Sequence, residues 1–172
     1  MFLGYNTNGL AHHDPFDAVA LLAELGYQGI ALTIDHGLCS PRDSHWQSQA
    51  AALRRALEQA NMRSVIETGA RYLLNPRVKH APTLVSPRAE ERAGRSAFLR
   101  HAIDVAVELG SDCVSFWSGI VQDGADDATA EARLISAIQP VVEYAASRAV
   151  VLAFEPEPGM FIDTMARFQW LH

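Results

Sequence analysis

The chain has only two cysteines in 172 residues, Cys39 and Cys113, far apart and in no CxxC pair. That argues against a disulfide framework or a zinc knuckle and makes a reducing cytoplasm the default setting. Positive charge is also scarce, with a formal net charge of −6. A nucleic-acid partner usually announces itself as a basic stripe, so none is expected. No apolar run approaches the roughly 18 residues that a membrane helix needs, and no membrane span is expected. The start, Met1-Phe-Leu-Gly-Tyr-Asn6, lacks the basic and long apolar parts of a signal peptide. No GxGxxG follows the first strand candidate and no Walker motif occurs, which removes the strongest arguments for a nucleotide cofactor.

What is there is a globular composition, 49% hydrophobic, of a length that fits one domain over residues 1–172. Strand and helix patterns alternate along it. The strand candidates are Phe2 to Asn6, Gly29 to Ile34, Arg63 to Glu67, Asp112 to Trp117 and Val150 to Glu155. Asp14-Pro15 opens the first helix, with Asp14 as cap and proline at the first helical position, and Gly26 ends it. Ser40-Pro41-Arg42-Asp43 is expected to start the second. Phe98, Ala102, Ile103, Val105, Ala106 and Leu109 mark the inner side of the third, which Gly110 stops. Asp126 to Arg148 reads as the fourth, with Pro140 expected to kink or split it. Thr164 to Leu171 looks like the opening of a fifth. Five successive strand–helix units mean a parallel sheet with right-handed crossovers, either open and doubly wound or part of a (β/α)8 barrel.

Polar residues gather where the strands end: Asn6, Asp35-His36, Glu67, Trp117-Ser118-Gly119 and Glu155. In an α/β barrel those ends carry the chemistry. The apolar run Val150 to Phe154 reads as a strand buried on both faces, and a carboxylate at its end is costly to bury without a cation or substrate beside it. Glu155 is therefore the leading candidate, the alternatives being a helix cap or an arginine pair. Glu157 reads as a solvated loop residue. Glu67 can serve the site or pair with Arg71. His36 can act as ligand or acid–base group, or simply occupy a loop. Trp117 can wall a pocket or fill the barrel top. His12-His13 reads as the turn into the first helix.

A loop from Thr68 to about Arg88 is longer than usual connections, which points to function. Its Arg71, Arg77, Lys79 and His80 could clasp an anionic or polyhydroxy ligand, although a solvated surface explains them as well. His45, His101 and Cys113 read as structural.

Two segments carry a resemblance. Ala153-Phe-Glu155-Pro-Glu157-Pro-Gly159 resembles the fifth-strand signature of the sugar phosphate isomerase/epimerase family, the xylose isomerase-like barrels that also include the endonuclease IV type of enzyme. Glu67-Thr-Gly-Ala-Arg71-Tyr-Leu-Leu-Asn-Pro76 is similar to the third-strand loop of other members. The resemblance implies an α/β TIM barrel with a divalent metal (Mn, Mg, Co or Zn) at its mouth. The ion would be held by carboxylates and a histidine on strands five to eight. Glu155 matches the strand-five ligand, and the other three would lie beyond His172. The chain is thus expected to be an incomplete, truncated barrel of about five βα units that holds the ion weakly or not at all and is inactive alone. The implied reaction is proton abstraction next to a carbonyl of a sugar or sugar phosphate, through an enediolate. Glu155 would act as metal ligand and proton-transfer group, with Asn6, His36, Glu67, Arg71 and Trp117 on the substrate. Two other readings stay open: a non-catalytic half-barrel whose bare face docks on another copy or a partner, and an endonuclease IV-like metal phosphodiesterase.

Overall fold

The computed structural model describes residues 2–171. Five parallel strands form one sheet in the order of the sequence: β1 (Gly4–Asn6), β2 (Gly29–Thr33), β3 (Arg63–Glu67), β4 (Val114–Phe116) and β5 (Leu152–Phe154). Helices α1 (Pro15–Glu24), α2 (Trp46–Gln59), α3 (Ala89–Leu109) and α4 (Asp127–Ser147) form the crossovers, and α5 (Met165–Leu171) follows β5. A short 3-10 helix, Thr7–Leu10, follows β1. No described helix is long and apolar enough to cross a membrane.

The two faces of the sheet differ. Ile30, Leu32, Ile66, Val114 and Phe116 are buried on the side that the helices cover. Their neighbours Ala31 and Val65 are only half-buried. Residues two apart share a face, so the register Thr33↔Glu67↔Ser115↔Ala153 places a polar layer on the side away from the helices. There Thr33 Oγ1 donates to Asn6 Oδ1.

Local chemistry explains the helix ends. Asp14 accepts the Phe16 N–H with Pro15 inside the first turn, and Asp126 accepts the Thr129 N–H. Gly110 closes α3 at φ +68, in the left-handed region.

Four sequence expectations change. β1 starts at Gly4, because Phe2 and Leu3 are exposed, although the Leu3 carbonyl accepts from the Gln28 and Gly29 N–H groups. α2 starts at Trp46, since Ser40 and Asp43 close turns on Arg42 and His45 first. α4 runs unbroken through Pro140. Its buried Leu134, Ala137, Val141 and Ala145 flank the proline on both sides, and that packing outweighs a proline cost of about 3 kcal/mol. β5 is half-buried, not buried on both faces, with Val151 63% exposed. It lies at the sheet edge, paired only with β4, and one side alone is covered, where Phe154 meets Phe116 and stacks on Phe168.

Candidate functional site

The C-terminal ends of β3, β4 and β5 open into a cavity of about 580 Å³. Glu67 and Glu155 enter from the strand ends, Arg71, Lys79 and His80 from the loop after β3, and Trp117 from the end of β4. The cavity thus carries both carboxylates and cationic side chains.

Glu67 is the buried carboxylate, only 9% exposed. Burial and the nearby charge of Glu155 push its carboxyl up to about 6. The Gly69 and Thr68 N–H groups, and the more distant Arg95, pull the other way. Glu155 is exposed, so the cost of burying it does not explain its place. One of its oxygens accepts a short hydrogen bond from Ser115 Oγ on the neighbouring strand, and its own N–H continues the ladder to Phe116.

Behind this front lies Arg95, on α3 and fully buried. Its Nη2 donates to the Thr68 carbonyl at 2.7 Å, while Nε and Nη1 have no partner among the described residues. Its guanidinium stacks against Trp117 at 4.7 Å and Phe98 at 5.3 Å. Burial lowers its pKa to about 10 and Glu67 opposes that shift. The Thr68 carbonyl and the Gly69 N–H belong to one peptide. The cation on one side of this peptide therefore strengthens the donor that faces Glu67 on the other.

The rest of the mouth is held by backbone that tolerates little change. His80 Nδ1 bonds the Gly69 carbonyl at 2.6 Å, and its ring meets Trp117 edge-on. Gly119 has φ +92, and a Cβ there would lie 2.2 Å from Thr83 Cβ. Gly119→Ala should therefore lower the unfolding free energy by about 2 kcal/mol or more, read from urea denaturation. An unchanged midpoint would mean the turn can relax.

A family model described as a xylose isomerase-like TIM barrel matches residues 19–171. The chain belongs to that xylose isomerase-like family. Solved structures agree on the fold. A 3-keto-D-glucoside 4-epimerase from E. coli superposes with a TM-score of 0.76 at 10% identity, over 98% of this chain and 62% of that one. A D-psicose 3-epimerase gives 0.66 at 16% identity, over 88% and 51%. An AP endonuclease of family 2 from Brucella melitensis gives 0.65 at 19%, over 91% and 58%. The chain thus spans between half and two thirds of the length of these xylose isomerase-like neighbours, as a five-stranded part of the barrel. No curated protein matches it by sequence.

Of the six residues singled out in the sequence, the xylose isomerase-like mouth gathers four: Glu67, Arg71, Trp117 and Glu155. Asn6 does not line this cavity; it caps the 3-10 helix by accepting the Asn8 N–H. His36 lies in a separate neighbouring cavity. Arg71 pairs with Asp35 at 3.4 Å, not with Glu67. Lys79, His80 and Glu157, which solvated loops would explain, line the cavity. His101 is structural: it bonds the Cys39 carbonyl and packs on Trp46.

Arg95 was missed. The signal for it was present, because it lies three residues before Phe98 and four before Leu99, on the apolar side of α3. Ser115 was missed too, inside a strand that reads as core. As to a metal, no group of three or more His, Cys, Asp or Glu side chains among the described residues could hold one. Those residues do not by themselves make a metal centre.

Proposed function

We propose that this chain forms the sugar-binding part of an isomerase or epimerase mouth that moves a proton next to a carbonyl. The observation that carries the reading is the convergence of Glu67 and Glu155 on one cavity at the strand ends, which Arg71 and Lys79 of the loop after β3 also line. A polyhydroxy ring needs acceptors on one edge, donors on the other and an apolar wall, and Glu67, Arg71, Lys79 and Trp117 supply these. Glu155, exposed and oriented by Ser115, would take or return the proton at carbon. Glu67, whose carboxyl keeps its proton to about pH 6, would exchange hydrogen bonds with the adjoining substrate oxygens. Where the family resemblance implies a divalent ion, Glu155 would contribute one ligand; the described residues do not complete that site.

A phosphodiesterase of the endonuclease type fits less well. Such a reading wants several imidazoles, and among the described residues His80 is the one that lines this cavity, its Nδ1 tied to Gly69.

The test is saturation-transfer NMR of D-fructose with the 172-residue chain. Binding is expected, and Glu155→Gln should weaken it at least about tenfold with an unchanged circular dichroism spectrum. A parent chain that binds no sugar would overturn the reading.

A further inference from the structure

The loop after β3 comes back to the strand ends at His80, and it arrives under constraint. His80 stands at φ 66, in the left-handed region, although it is no glycine. Its backbone N–H donates to the Arg71 carbonyl at 2.6 Å, which closes the loop from Arg71 to His80 at its base. Its ring meets the buried Trp117 edge-on, with centres 5.8 Å apart. Non-glycine residues keep so sparse a conformation where the surroundings impose it, and such places collect at ligand sites. A solvated loop histidine needs none of these restraints.

The bond at one ring nitrogen decides the chemistry of the other. Nδ1 lies 2.6 Å from the Gly69 carbonyl oxygen. A carbonyl can only accept, so Nδ1 carries the hydrogen, and in the neutral ring Nε2 is then a bare acceptor. No hydrogen bond engages Nε2 among the described residues, and the ring lines the cavity of Glu67 and Glu155. The backbone beside it is bare. A Cβ built on Gly69 would lie 3.7 Å from Glu67 Oε1 and 3.8 Å from His80 Cε1, so carboxylate and imidazole flank one position that holds no side chain.

We propose that His80 determines specificity in this mouth: Nε2 accepts a hydrogen bond from one sugar hydroxyl, seated beside Glu67 over Gly69. This rests on the sugar-binding reading above and adds to it the demand for a donor at one position of the substrate. A carbonyl or phosphoryl oxygen there would set lone pair against lone pair. A site built around a hydroxyl rejects the analogue that lacks it, because its own acceptor is then left unpaired.

The experiment is isothermal titration of the 172-residue chain with D-fructose and with its monodeoxy analogues. One analogue should bind about tenfold weaker than fructose. The variant is His80→Asn. Asparagine tolerates the left-handed backbone, and its amide N–H can replace Nδ1–H on the Gly69 carbonyl, while Nε2 is gone. It should bind fructose about tenfold weaker than the parent does and no longer distinguish fructose from that analogue. An unchanged fructose affinity would overturn the inference and leave the sugar-binding reading standing. So would a loss equal for fructose and every analogue, the mark of a merely structural role. Nitrogen-15 NMR of the parent's histidines gives a check that needs no variant. The neutral His80 ring should carry its hydrogen on Nδ1, and its Nε2 signal should move on addition of fructose. A hydrogen on Nε2, or a signal that stays still while fructose binds, would also overturn the inference. A parent chain that binds neither fructose nor any analogue would overturn both readings.

Discussion

Glu67→Gln should make the protein more stable at neutral pH, by about 2 kcal/mol. Burial and Glu155 raise this carboxyl from 4.5 to about 6, and each tenfold change in proton affinity is worth roughly 1.4 kcal/mol. The folded chain therefore holds the proton more tightly than the unfolded chain does. Stability is fully present below 4.5, falls as the pH rises towards 6, and stays reduced above it. Glutamine keeps an oxygen for the Gly69 and Thr68 N–H groups and removes the charge. Urea denaturation of parent and variant at pH 7 and pH 4 would show it: a gap at neutral pH that closes in acid. A variant that is less stable at pH 7 would mean that Arg95 and the two N–H groups more than offset the burial. If the gain appears, the parent carries an ionised carboxylate in an unfavourable place, as a site kept for binding or catalysis does.

Arg95→Ala should have the opposite sign and a larger size, a loss of about 3–5 kcal/mol, as for truncation of other large buried side chains. The change removes the stacking on Trp117 and Phe98, empties a fully buried volume and leaves the Thr68 carbonyl without its donor. Arg95→Met gives the comparison that separates these causes. It keeps the stem, leaves the carbonyl unpaired and removes a cation whose Nε and Nη1 find no partner among the described residues. Relief from burying that charge offsets part of the loss, so Met should lie much closer to the parent than Ala. Thermal unfolding followed by circular dichroism measures both. An alanine variant within about 1 kcal/mol of the parent would show that Trp117 and Phe98 close over the gap unaided.

The strand–helix alternation was legible because short apolar runs alternate with helical spacing and some helix ends carry local signals, as at Asp14-Pro15 and Gly110. The ends of β3 and β5 were legible for the same reason: Glu67 and Glu155 interrupt otherwise apolar stretches. Which of the two is buried was not. That depends on the neighbours across the sheet and on α3: Glu67 is enclosed, and Glu155, whose burial the sequence suggested, is open. The roles of Asn6 and Arg71 were hidden likewise. Asn6 is spent on a turn two residues away, and Arg71 finds Asp35 across 36 positions of sequence, a pairing that no local pattern encodes. Pro140 misled because propensity is local, while the packing that holds α4 together is not.

The strand order has a consequence for how such a molecule comes into being. Every strand of this sheet lies beside the one made just before it. Among the five described strands, each new unit finds its docking edge already present. The ladder between β2 and β3 pairs five residues on each side, against two between β3 and β4. The first firm seam can therefore close early on the ribosome, with later units laid against it one by one as they emerge.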